Sequence, residues 1–138
     1  MALRIRTIIE VIGKPPEHIK KIIDSIVNMI KKEKNIKVIK QDIAPPEKIK
    51  DETWSTFAEL ELELPDLLTL NHFCFFYLPS SVEILDTTEI KIKTQELTNS
   101  INDMLARLHQ YNTTVFAITQ ENKQLKNKIT KLTKPASS

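Results

Sequence analysis

The sequence predicts an α+β fold, a small domain of β-α-β-β-α-β order followed by one long helix. Three observations predict it. Apolar and polar side chains alternate at residues 3–12 and 54–64, the two-residue period of a strand with one buried face. An apolar stripe at helical spacing runs between them, over residues 19–30, and an unbroken apolar heptad fills the last third of the chain.

In the first strand Leu3, Ile5, Thr7, Ile9 and Val11 alternate with Arg4, Arg6, Ile8, Glu10 and Ile12, ending at Gly13, the only glycine. Lys14-Pro15-Pro16-Glu17 then starts a helix, because proline is tolerated in a first turn and the helix dipole favours an acid there. Ile19, Ile22, Ile23, Ile26, Val27 and Ile30 make its stripe, which requires a sheet to pack on. Residues 36–43 are apolar and β-branched enough for a second strand, closed by Pro45-Pro46. The string Pro-Pro-Glu-x-Ile-Lys occurs at 15–20 and again at 45–50 and is read as one turn chemistry used twice. Next, Trp54, Thr56, Ala58, Leu60, Leu62 and Leu64 alternate with Ser55, Phe57, Glu59, Glu61 and Glu63, a third strand with one face in water.

Pro65-Asp66 breaks that strand, and Asp66 is placed to cap a helix from Leu67 to about Tyr77. That helix is apolar nearly all round, so it is expected to be largely buried, with Leu70, Phe73 and Phe76 against the sheet. Pro79-Ser80-Ser81 ends it, residues 82–85 make a short fourth strand, and residues 89–93 alternate again as an extension or a fifth strand. This order is the split βαβ arrangement of ferredoxin-like domains and covers residues 1–93.

Residues 94–133 read as a coiled-coil helix and residues 134–138 as a disordered tail. With Leu97 at d, Met104, Tyr111, Ile118, Leu125 and Leu132 follow at d, and Ile101, Leu108, Val115, Asn122 and Ile129 at a. Mainly β-branched residues at a and leucine-rich d positions favour two parallel strands. Asn122 is the strongly polar a residue, and Glu121 at g can reach Lys126 at e of a parallel partner. A helix of this length, roughly 55 Å at about 1.5 Å per residue, is too long for one small sheet to cover, so a partner helix is expected.

The chemistry of an enzyme is not visible. One glycine rules out glycine-rich phosphate loops of the Rossmann and P-loop kind. His18, His72 and His109 fall on three predicted helices without further ligands at metal spacing, so neither a metal nor another cofactor is expected. Cys74, the single cysteine, sits among phenylalanines as an inert thiol, and Ser80-Ser81 has no nucleophile elbow. Hydrophobic residues at 41% and charged residues at 28% describe a soluble, folded chain, and no apolar run approaches the roughly 18 residues of a membrane span. A lone cysteine and no leader segment place it in the cytoplasm.

The net charge of +2 is uneven: residues 95–138 carry 6 cations against 3 acids. Lys123, Lys126, Lys128, Lys131 and Lys134 make a basic tip, a surface for phosphates or an acidic partner. Glu59, Glu61 and Glu63 share a strand face, either as a solubility row that discourages edge pairing or as a face for a basic partner. The central strands lack the aromatics with which ferredoxin-like RNA-binding domains stack bases, which disfavours RNA on the sheet.

The strand Pro79-Ser80-Ser81-Val82-Glu83-Ile84 after an apolar helix, in a chain rich in lysine and isoleucine, resembles small uncharacterised archaeal proteins over about residues 1–111. That resemblance implies no activity. The β-α-β-β-α-β order is also similar to ACT regulatory domains, which bind amino acids near the first loop. Gly13 matches their expected glycine, whereas Lys14-Pro15-Pro16-Glu17 departs from their usual acidic-arginine-proline-glycine run.

The expectation is a non-enzymatic scaffold or adaptor that self-associates as a parallel homodimer and recognises a protein partner through its α/β domain. The alternatives are an ACT-like small-molecule sensor and a nucleic-acid-associated factor using the basic tip.

Overall fold

A computed structural model describes residues 2–85 and 88–134 of the chain. The elements in order are β1 (Leu3–Gly13), α1 (Pro16–Lys32), β2 (Lys37–Ile43), β3 (Glu47–Lys50), β4 (Thr53–Leu64), α2 (Leu67–Tyr77), β5 (Ser81–Ile84) and α3 (Thr94–Thr133). The protein is thus of mixed α/β class, with an antiparallel five-stranded sheet, three helices among the described residues and a long C-terminal helix. Two compact units divide between Ser100 and Ile101.

The first unit is built around β1 and β4, which pair antiparallel from Leu3 opposite Leu64 to Gly13 opposite Trp54. Matching two alternating strands in this register puts their apolar residues on one face. Leu3, Ile5, Ile9, Ala58, Leu60, Leu62 and Leu64 are all buried, and Ile19, Ile23, Val27 and Ile30 of α1 lie buried as well. Two threonines share that inner face without an unmet polar atom. Thr7 Oγ1 donates to the Ser81 carbonyl at 2.8 Å and Thr56 Oγ1 to the Ala44 carbonyl at 2.6 Å, each tying a central strand to the chain beside it. β2 pairs with the far side of β4 and β5 with β1, giving the order β2-β4-β1-β5, with β3 pairing β4 off that path.

α1 starts as expected, with proline in its first turn, Glu17 there, and Lys31 and Lys32 in its last turn. Gly13 sits where β1 gives way to α1, and a Cβ at that point would lie 3.2 Å from Ile19 Cγ2, a contact the neighbour could take only by moving.

Three expectations are corrected. The repeated string does not have one structure: residues 16–20 are helical, whereas Glu47–Lys50 is strand β3. Context decides. The first copy leads into the Ile22-to-Ile30 stripe that gives a helix something to bury. The second leads through a turn at Asp51, in the left-handed region at φ 52°, into β4, against which it pairs. The second correction concerns α2, where only Phe73 is fully buried and Phe76 is 57% exposed. A helix lying on one sheet buries one stripe, here Leu70, Phe73, Cys74 and Tyr77 at i, i+3, i+4 and i+7. The third is that residues 89–93 form no strand. Of the tail expected to be disordered, residues 135–138 lie outside the described residues.

Asp66 does cap α2. Its carboxylate accepts from the Thr69 backbone N–H at 2.8 Å and from the Thr69 hydroxyl at 2.7 Å. Asn71 on α2 donates to the Ser100 carbonyl at 2.8 Å, so the first turns of α3 up to Ser100 belong with the sheet unit.

Candidate functional site

α3 is a single helix of 40 residues, about 60 Å at about 1.5 Å per residue. Its sequence favours continuity: neither glycine nor proline interrupts it, Glu96 sits in the first turn and Lys131 in the last. Threonines that would weaken a helix turn their hydroxyls back onto it. Thr113, Thr119, Thr130 and Thr133 donate to the carbonyls of His109, Val115, Lys126 and Ile129. Arg107 and Asp103 add an i,i+4 ion pair at 3.0 Å.

Because a heptad closes nearly two helical turns, Leu97, Ile101, Met104, Leu108, Tyr111, Val115, Ile118, Asn122, Leu125, Ile129 and Leu132 share one stripe of this helix. Every apolar member is more than one-third exposed, from 37% at Met104 to 85% at Leu132. A run of large apolar side chains in water over this length is far from the scattered exposure of an ordinary surface. Asn122, Glu121 and Lys126 are exposed too. The two charges stand five positions apart, a spacing that does not bring them face to face within one helix. Leu105 and Phe116, off the stripe, are also exposed, at 55% and 65%.

The glutamate row is not bare. It lies on the outer face of the sheet, and β1 presents Arg4 and Arg6 on the same face. Arg6 meets Glu59 at 3.5 Å, Glu61 at 3.4 Å and Glu83 of β5 at 3.2 Å, and Arg4 meets Glu61 at 3.4 Å. Glu63 is exposed and stands opposite Arg4 on one side and Lys37 on the other. Sequence reading picked out the acids and missed their counter-charges. The signal was present, since Arg4 and Arg6 fall on the polar side of the β1 alternation and reach the glutamates once β1 and β4 pair antiparallel.

Cys74 is half-buried, and burial pushes its thiol up and so disfavours the thiolate. His72 stacks on Phe76 with ring centroids 5.7 Å apart. Among the described residues no group of three or more histidines, cysteines or acids could hold a metal ion, and no helix is long and apolar enough to cross a membrane.

No curated protein and no solved structure matches the chain. One family does, named after an archaeal protein, and its match runs through nearly all of the sheet unit and the whole of α3. Over residues 4–136 the chain fits the model of the MJ0538 family, and it belongs to that family.

Proposed function

We propose that the protein is a non-enzymatic homodimeric scaffold or adaptor, in which α3 pairs with α3 of a second copy as a parallel coiled coil and the ferredoxin-like α/β unit recognises a protein partner. One observation carries the reading: the a and d positions of α3 form an exposed stripe from Leu97 to Leu132 that is apolar at every position but Asn122. A second identical helix covers such a stripe knob into hole, and Glu121 then faces the partner's Lys126. The strand order β2-β4-β1-β5, with two helices between the strands, supports the ferredoxin-like reading of the first unit. Sedimentation equilibrium tests the dimer. The full chain is expected to be dimeric at tens of micromolar, and a chain lacking residues 113–138 largely monomeric with its sheet intact by circular dichroism. A monomeric full chain, or an undiminished dimer after the deletion, defeats the proposal.

A second reading, an ACT-like small-molecule sensor, is favoured by a cavity at the β1–α1 junction. It has about 450 Å³, an apolar floor of Pro15, Pro16 and Trp54, and Lys14 and Glu52 at its edge 4.0 Å apart. A zwitterionic amino acid has the charges to meet that pair. A thermal-shift series with the free amino acids decides it, since a ligand that binds the folded state raises the melting temperature by mass action.

A further inference from the structure

The α/β unit carries a groove with an apolar floor shared by α1 and α2 and a basic rim from the end of α1 and the residues after it. Met29 and Lys32 of α1, Glu33 and Lys34 beyond it, and Phe76 and Tyr77 of α2 line a space of about 450 Å³. Met29 is 47% and Phe76 57% exposed, so two large apolar side chains meet water side by side. Phe76 is also held in place. The His72 ring stacks against it and Tyr77 meets it edge-on at 4.9 Å, so little side-chain entropy remains to be lost on binding.

A second, independent feature adjoins it in the chain. Leu78, which ends α2, sits in the left-handed region at φ 50° with its side chain 71% exposed. A helix end in this conformation usually carries glycine, so leucine is held there at some backbone cost and leaves a further apolar side chain in water next to α2. Charge supplies the third component. Residues 31–40 hold five lysines, all exposed, and a single acid, Glu33. The Tyr77 hydroxyl donates to its carboxylate at 2.9 Å, which fixes where that charge sits without cancelling it. Lys32 and Lys34 line the groove beside it, and with three more exposed lysines in the same segment the local charge is net positive.

We propose that this groove docks an acidic amphipathic segment of a partner protein, whose apolar side chains seat on Met29 and Phe76 while its carboxylates meet Lys32 and Lys34. Charge complementarity selects acidic partners and speeds their encounter, and the apolar contact holds them. Nucleic acid would find the same lysines, but a base needs an open ring face to stack on. One face of Phe76 already carries His72, and Tyr77 packs against the ring as well. The inference rests on the adaptor reading only for the role of the α/β unit, and its test does not depend on dimer formation.

The experiment is selection of a random-peptide phage library on the full chain. Selected peptides are then measured by fluorescence anisotropy on wild type, Phe76→Asp and Lys32→Glu/Lys34→Glu, each checked for unchanged circular dichroism. Enriched peptides are expected to be net acidic, with leucine or aromatic residues at helical spacing, and to bind each variant about tenfold or more weakly. The loss from the lysine variant should shrink as salt is raised. The proposal is overturned if nothing is enriched, if the enriched peptides are not acidic, or if they bind the variants as well as wild type. Two further outcomes overturn it by naming another occupant. A fluorescent single-stranded oligothymidylate that binds wild type and is lost from both variants assigns the groove to nucleic acid, and a drop in sedimented mass for Phe76→Asp assigns it to a second copy.

Discussion

The hydroxyl of Tyr77 donates to the carboxylate of Glu33 at 2.9 Å, so the last residue of α2 is fastened to the residue that caps α1. Both crossovers of the sheet are tied at this point. Burial first, then the hydrogen bond and the charge of Glu33, push the Tyr77 phenol from 10.0 up to about 12.

That shift has a definite sign. The folded state holds the phenolic proton more tightly than the unfolded chain does, so the contribution to stability is complete below pH 10 and is lost as pH rises from 10 towards 12. In Tyr77→Phe this part of the pH dependence is expected to vanish. Urea unfolding of both proteins at pH 8, 10 and 11 checks it: their midpoints should draw together as pH rises, and a constant gap would contradict the linkage.

Phe73 and Phe76 lie on one helix three residues apart and are expected to behave as opposites. Phe73 is wholly buried, so Phe73→Ala should cost about 3–5 kcal/mol. Phe76 is more than half exposed, and Phe76→Ala should cost under about 1 kcal/mol. Denaturant titration of the two variants separates a core residue from a surface one, and equal losses would mean that α2 packs by a different stripe.

This pair also shows where reading a sequence runs out. Alternation in β1 and β4 identifies the buried face because polar residues mark the other one, and Asp66 marks where α2 begins. α2 itself is apolar almost all round, so its composition carries no sign of which stripe meets the sheet. Residues 89–93 show the opposite failure. Ile90 and Ile92 are half-buried and Glu89, Lys91 and Lys93 exposed, so the alternation reports which way each side chain faces. It does not report whether the backbone pairs with a neighbouring strand, and here it forms none. The repeated Pro-Pro-Glu-x-Ile-Lys string is helical in one place and extended in the other for the same reason, since partners distant in sequence decide. The α3 stripe was legible because a heptad is a local pattern, whereas what covers it is not written in one chain.

Arg6 is expected to be worth more than one surface pair, since it joins Glu59 and Glu61 of β4 to Glu83 of β5 across its own strand. Its side chain is 39% exposed, so water and salt still screen it. With three partners each worth about 0.2–1 kcal/mol, Arg6→Gln should cost about 1–2 kcal/mol at low ionic strength. Unfolding in 0.05 M and 0.5 M salt checks the cause: the difference from wild type should shrink at the higher concentration, and a loss independent of salt would assign it to packing of the arginine stem.

Asn122 is the position at which the proposed rod chooses its partner. An amide at an a position is best satisfied by the same amide across a parallel dimer, whereas a shifted register or an extra strand leaves it against apolar side chains. Glu121 and Lys126 then add a charge pair between helices that cannot form within one. Asn122→Ile removes the polar cost together with the register signal. The variant should therefore associate more tightly than wild type, yet populate trimers or mixed species as well as dimers. Sedimentation equilibrium over a range of concentrations reads both effects at once, and fluorescence quenching between labels placed at residue 132 of two copies reads strand direction. Wild type should show strong quenching, as parallel ends lie together, and Asn122→Ile weaker or heterogeneous quenching. Tight association of the variant with an unchanged dimer mass and unchanged quenching would mean that the a and d side chains alone set the register, and that Asn122 has no part in it.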